Sequence, residues 1–131
     1  MISPTWKGIR GTDKHGSGEY SAPRTHGYHR GVDFVCEPGQ DVVMPISAEI
    51  IRIAKPYANE KWLGVYCKNS ICAFKMFYLI PKDGVIGEWV DEGEIIGIAQ
   101  DISEKYPGIT PHIHFEFESV DPMVFFMFGG F

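Results

Sequence analysis

The sequence predicts a mainly β, single-domain protein built on an antiparallel sheet, and three observations carry that prediction. Short apolar runs recur from Gly31 onward, each closed off by turn-forming residues such as Glu37-Pro38-Gly39-Gln40, Lys82-Asp83-Gly84 and Asp91-Glu92-Gly93. Fifteen glycines, nine prolines and an aromatic share of 14 % fit many strands joined by tight turns. Only Ile102–Tyr106 reads as a helical turn, and Pro107-Gly108 stops it. A chain of 131 residues makes one domain, large enough to bury a core without staples.

Taken in order, residues 1–26 form an irregular wrapping segment, rich in Gly, Ser, Asp and charged residues from Gly8 onward. His15, Arg24 and His26 lie close enough before His29 to line one wall of a cleft. Residues 27–122 make the domain proper. Its strand candidates are Gly31–Cys36, Asp41–Met44, Ala48–Lys55, Gly64–Lys68, Ile71–Leu79, Glu94–Gln100 and His112–Glu118. A weak internal echo links Glu37–Val43 with Val90–Ile96, each a turn glycine feeding an apolar strand, the hammerhead-like pattern of lipoyl and biotinyl carriers. A carrier would show its acceptor lysine at a hairpin tip, whereas Lys75 lies within the apolar run Phe74–Leu79, which argues against that role. Residues 123–131 are an apolar tail containing Val124, Phe125, Phe126, Met127, Phe128 and Phe131. It is too short to span a bilayer, which takes about 20 helical residues. It reads as a last element folded onto the domain, or as a patch that docks a protein partner.

Composition narrows the function classes. With 17 acidic and 12 basic residues the formal charge is −5, and the basic residues are scattered along the chain. A nucleic-acid footprint would need a basic stripe, so neither nucleic acid nor another polyanion is an expected partner. Residues 1–10 hold no apolar stretch with a cleavage site, so the expected location is the cytoplasm or, after a signal-independent route of export, the cell exterior. Three cysteines, Cys36, Cys67 and Cys72, make a poor disulfide framework and contain no C-x2-C pair. Cys67 and Cys72 could meet across a hairpin at Asn69-Ser70, but buried free thiols are the expectation. Cys36, three residues after Asp33, is a weak candidate metal ligand.

The chemistry concentrates in His29-Arg30-Gly31-Val32-Asp33 and His112-Ile113-His114. On a strand His112 and His114 share a face, roughly 6–7 Å apart, so one can bind a metal while the other stands beside it. A fully extended chain would hold His29 and Asp33 about 13 Å apart, too far for ligands at the ~2 Å bond lengths of zinc. The chain must therefore bend between them, and Gly31 permits a bend. Asp33, opposite in facing to Val32 and Phe34, keeps its carboxylate for the cleft. His29, Asp33 and His114 would make three protein ligands with water as the fourth, a catalytic type of zinc site. Glu116 shares the face of His114 and could accept an imidazole N–H as a supporting partner. Tyr28, Tyr57 and Trp62 are candidates for lining subsites.

His29-x3-Asp33, Pro45–Ile51, Val90-x2-Gly93-x-Ile95-Ile96-Gly97 and Pro111–Glu116 resemble the lysostaphin-type (LytM-like) zinc endopeptidases, which cut peptide crosslinks of bacterial cell walls. The resemblance covers about residues 27 to 122. Asp13–Ala22, Lys55-Pro56-Tyr57, Lys75–Tyr78 and Tyr106–Ile109 look like its leukocyte cell-derived chemotaxin 2-like branch, which carries the same fold and metal site. The vertebrate member of that branch is regarded as a secreted signalling protein without protease activity. The resemblance implies zinc held by His29, Asp33 and His114, and His112 as general base or stabiliser of the attacked carbonyl. It also implies a peptide or peptidoglycan substrate attacked by zinc-activated water. The family's second catalytic histidine is replaced here by Tyr78, whose hydroxyl, with an ordinary pKa of ~10, suits an oxyanion donor but not a base. Two expectations follow: a zinc endopeptidase, or a catalytically silent zinc-containing module that uses the same groove to hold a peptide or glycopeptide.

Overall fold

A computed structural model describes residues 1–24 and 30–127, with residues 27–28 and positions 125 and 127 described by backbone alone. His29, among the expected metal ligands, lies outside the described residues, as do His26 and the side chain of Tyr28.

Strands β1 (Pro23–Arg24) and β2 (Gly27–Tyr28) form a small hairpin inside the N-terminal segment. They are followed by β3 (Val32–Val35), β4 (Asp41–Val43), β5 (Ala48–Ala54), β6 (Gly64–Lys68), β7 (Cys72–Phe77) and β8 (Leu79–Pro81). Next come β9 (Trp89–Val90), β10 (Ile95–Ala99), a 3-10 turn at Ile102–Glu104, β11 (His112–Val120) and helix α1 (Met123–Met127). A six-stranded antiparallel sheet runs β3-β11-β7-β6-β5-β9, and a three-stranded one runs β4-β10-β8. The large sheet carries the site. Along β11 the period of two sends Ile113 and Phe115 into the core and His112, His114 and Glu116 to the opposite face. The core gathers Ile50, Val65, Phe74, Met76, Ile113 and Phe115 from this sheet with Val42, Leu79 and Ile96 from the smaller one, all buried.

The internal echo has a structural counterpart, because its two segments pair with each other. Gly39 N–H donates to Ala99 O and Ala99 N–H to Gln40 O, both 2.9 Å; Gly93 N–H donates to Met44 O at 2.8 Å and Met44 N–H to Glu94 O at 2.9 Å. Each half thus closes its turn on the strand end of the other. The 3-10 turn sits within the segment expected to be helical, and the Asp101 side chain caps it by accepting from Ser103 N–H.

One expected strand is really two. The run Ile71–Leu79 breaks at Tyr78, whose φ of +77° is rare for a bulky side chain. That residue turns the chain out of the large sheet and into β8 of the small one. Its N–H donates to Leu63 O at 2.7 Å and its carbonyl accepts from Gln100 N–H at 2.8 Å, so both layers hold the unfavourable conformation in place. The strands β1, β2, β8 and β9 escaped the sequence reading because two or three residues are too few to show a periodicity.

Cys67 lies opposite Phe74 across the β6–β7 hairpin, not opposite Cys72, and all three cysteines are free and buried. In α1, Met123 and Phe126 are largely exposed and Val124 is half-buried. Among the described residues no helix is long and apolar enough to cross a membrane.

The chain bends at Gly31, as its place between His29 and Asp33 suggested, and the residue is needed for a second reason as well. Its φ lies outside the left-handed region, but a Cβ there would stand 2.2 Å from Phe115 O and 2.7 Å from His114 Cε1. The position must be bare so that β11 and the His114 ring can approach. Gly31→Ala is expected to cost about 1–3 kcal/mol of stability by overpacking, read from the urea unfolding midpoint.

Candidate functional site

The outer faces of β3, β11 and β7 make the floor of a cleft of about 870 Å³. Register places Asp33 of β3 beside His114 of β11, which lies beside Phe77 of β7. His114 Nδ1–H donates to Asp33 Oδ1 at 2.8 Å and Nε2–H to Glu116 Oε1 at 3.0 Å. The Phe77 ring stacks on the imidazole with centroids 5.9 Å apart and planes at 9°. Burial works against the charge on His114, but its hydrogen bonds to the Asp33 and Glu116 carboxylates overcome that and raise its pKa to about 9. Bonding to His114 in turn holds the Glu116 carboxyl below the ordinary carboxylate range.

His112 differs in kind. It is 3 % exposed, and burial pushes its pKa below the ordinary value despite the Asp33 charge. Its Nδ1 donates to the Thr110 carbonyl at 2.7 Å, which fixes the tautomer and leaves a lone pair on Nε2, 3.5 Å from Asp33 Oδ2. Tyr78 meets this ring edge-on at 5.4 Å. Burial first, and then the neighbouring Tyr57 hydroxyl, raise the Tyr78 pKa, so its hydroxyl keeps its proton. Tyr106 donates to Tyr57 at 2.8 Å, and the Tyr57 and Tyr78 oxygens are 3.4 Å apart.

Asp33 is not left free for the cleft, because the N-terminal segment brings a guanidinium to it. Arg10, 2 % exposed, donates from Nε and Nη2 to Asp33 Oδ2 at 3.2 and 3.1 Å. Its Nη1 donates to Asp13 Oδ2 at 2.8 Å and to Gly16 O at 2.7 Å. Asp13 also accepts from the N–H groups of Thr110 at 2.9 Å and His15 at 2.7 Å. Burial opposes it, but these backbone bonds and Arg10 hold the Asp13 carboxyl at about 2. A continuous chain of bonds therefore runs from Asp33 through Arg10 and Asp13 to Thr110, the residue that orients His112. Sequence reading missed Arg10 and Asp13 because nothing in their spacing marks a contact 23 or 97 residues away.

Of the expected site residues, Asp33, His112, His114, Glu116 and Tyr78 line one cavity, joined by His15, Arg24 and Tyr57. Trp62 does not line it; it is buried in the core behind Tyr78, edge-on at 6.3 Å. Cys36 is also excluded as a ligand, since it is buried away from the cavity and burial pushes its thiol up to about 12. Among the described residues no group of three His, Cys, Asp or Glu is placed to hold a metal. Asp33 Oδ1 and His114 Nδ1 do face each other, but at a hydrogen-bonded 2.8 Å, closer than the ~3.3 Å edge of a tetrahedron with zinc bonds of about 2.0–2.1 Å.

The chain is 36 % identical over 120 residues to leukocyte cell-derived chemotaxin-2 of Bos taurus, covering 89 % of this chain and 78 % of that one. It is 34 % identical to the protein of the same name from Mus musculus over the same share. In structure it is similar to the catalytic domain of the antimicrobial peptidase lysostaphin from Staphylococcus simulans, with a TM-score of 0.55 and 24 % identity over 88 % of this chain and 91 % of that domain. The fold is thus of the lysostaphin peptidase type. No protein-family model matches the chain.

Truncating one partner of a buried ion pair strands the other charge. Arg10→Ala is expected to lower the unfolding free energy by about 3–5 kcal/mol, measured by urea titration. The exposed pair of Lys61 with Glu104 serves as a control, and Glu104→Ala should cost under about 1 kcal/mol.

Proposed function

The chain belongs to the leukocyte cell-derived chemotaxin 2 family, and from that premise and the cleft geometry we propose that it is a zinc-dependent endopeptidase acting on peptide crosslinks, in the first place those of bacterial peptidoglycan. One observation carries the reading: Asp33 Oδ1 and His114 Nδ1 face each other beside a buried, neutral His112. Asp33 and His114 are zinc-type donors, and His29 is the third ligand by its place in the sequence motif. Zinc, when bound, supplies a Lewis acid that makes water nucleophilic near neutral pH.

The remaining steps belong to side chains of this protein. His112, neutral at pH 7 with Nε2 unprotonated, accepts the proton of the attacking water and returns it to the leaving amine. The Tyr78 hydroxyl donates to the developing oxyanion. Tyr106 donates to Tyr57, and the Tyr57 oxygen lies 3.4 Å from that of Tyr78, so the hydroxyl that would serve substrate sits at the end of a tyrosine chain. Glu116 fixes the far nitrogen of the His114 ring, and Arg10 takes one oxygen of Asp33 so that the other is presented to the cleft.

A second reading, a catalytically silent zinc-containing module that holds a peptide or glycopeptide in the groove, is favoured by one observation. Tyr78, in place of a histidine, is tied to Tyr57 deep in the cleft.

Digestion of purified wall peptides, followed by mass spectrometry, separates the two. The hydrolase gives new amino and carboxyl ends that disappear with a chelator, and His112→Ala lowers kcat by about 10²–10⁴. Binding without product selects the silent module. Histidine tolerates positive φ better than tyrosine, so Tyr78→His keeps the backbone turn and is expected to raise kcat. An unchanged kcat would remove Tyr78 from the mechanism.

A further inference from the structure

Folding reverses the sign of charge in the cleft relative to the whole molecule. The chain carries 17 acidic and 12 basic residues, yet among the described residues the cavity is lined by the basic Arg10, Lys14, Arg24, Lys55 and Lys75 against the acidic Asp33 and Glu116. Both carboxylates are already engaged, Asp33 by Arg10 and His114, Glu116 by His114. Arg10 is spent on Asp33 and Asp13, and Lys75 pairs with Glu118 at 2.8 Å.

The other three cations remain poorly compensated. Lys14 and Lys55 are exposed and make no ion pair among the described residues. Arg24 donates to the neutral carbonyls of Pro23 and Ser17, and its approach to the already paired Asp33 is only 4.0 Å. They come from three separate places: the segment before β1, β1 itself, and the residue that follows β5. That corrects the impression of scattered basic residues given by the sequence. A concave, low-dielectric site with excess charge of one sign concentrates ligands of the other.

We propose that the cleft selects peptides that carry carboxylates, with Lys14, Arg24 and Lys55 holding those groups on either side of the Asp33–His114–His112 floor. The inference rests on the reading of this cleft as a peptide groove. Tyr57, Phe77 and Ile109 on its walls give a peptide's side chains apolar contact that a sulfated polysaccharide could not use.

Fluorescence anisotropy with labelled hexapeptides tests it. One peptide bears two Glu and an amidated end, one is its Gln counterpart, one is the Gln peptide with a free carboxyl end, and one bears two Lys. The Glu peptide is expected to bind about tenfold tighter than its Gln counterpart at ~50 mM salt and under about twofold tighter at ~0.5 M. A gain confined to the free-ended Gln peptide would assign the pocket to a terminal carboxylate. The preference must survive a chelator, which rules out a carboxylate bound to metal alone, and must vanish in the double variant Lys14→Glu, Lys55→Glu. Equal binding of Gln, Glu and Lys peptides, a preference unchanged in the double variant, or tighter binding of a heparin oligosaccharide than of the Glu peptide would overturn it. Preference without cleavage defeats the hydrolase reading and leaves this inference standing; equal cleavage of Glu and Gln peptides does the reverse.

Discussion

The buried ion pair between Arg10 and Asp33 is the constraint on which the site depends. Both side chains are nearly inaccessible, and each charge out of water costs several kcal/mol unless a partner and further hydrogen bonds replace the lost hydration. The chain meets that condition with a backbone cradle. Arg10 N–H donates to Asp33 O at 2.7 Å, Asp33 N–H to Gly18 O at 2.8 Å and Gly18 N–H to Arg10 O at 3.0 Å. Val35 N–H adds a bond to Gly8 O at 2.9 Å. The same contacts cover the outer edge of β3, which would otherwise expose unpaired strand groups at the rim of the large sheet. The N-terminal segment is therefore part of the site's foundation, because it closes the sheet edge and divides the two oxygens of Asp33 between Arg10 and His114.

Strand β11 does the complementary work. It lies between β3 and β7, so one period-two face can supply core residues while the other supplies His112, His114 and Glu116. Alternation alone would let β7 add only Phe77 and Lys75 to that face. The left-handed backbone at Tyr78 breaks the alternation and brings the next side chain into the cleft as well. Strain of order 1–3 kcal/mol is tolerated where the surrounding structure over-determines it, here through Leu63 and Gln100 from neighbouring segments.

What the sequence disclosed follows from the range of each interaction. The long strands were legible because their periodicity is local, and the H-x-H spacing of His112 and His114 was legible because a strand converts a two-residue step into a shared face. The break at Tyr78 was not, since no residue type there announces a positive φ and the cause lies in hydrogen bonds to Leu63 and Gln100. The bend at Gly31 was legible, but the second demand on that position, the close approach of Phe115 and His114 from far along the chain, was not. Arg10, Asp13 and the cationic rim were invisible for the same cause: each depends on contacts that exist only after the sheets have closed.

The proton arrangement at His114 ties these threads to chemistry. An imidazole bonded through both nitrogens to carboxylates carries a charge, and its pKa of about 9 exceeds the ~6.5 of an unfolded chain. A group whose folded pKa is raised stabilises the metal-free fold fully below ~6.5 and loses that contribution as pH rises through about 9. Under the proposed zinc reading, a metal held by Asp33 and His114 would have to compete with the proton that Asp33 Oδ1 and His114 Nδ1 share. Arg10 would set the terms of that competition by binding Oδ2, while Oδ1 accepts from His114. His112 differs: its Nδ1 is committed to Thr110, and burial keeps its Nε2 unprotonated near neutrality. Two histidines separated by one residue are thereby given opposite protonation by their neighbours, a difference that the proposed division into ligand and base would use.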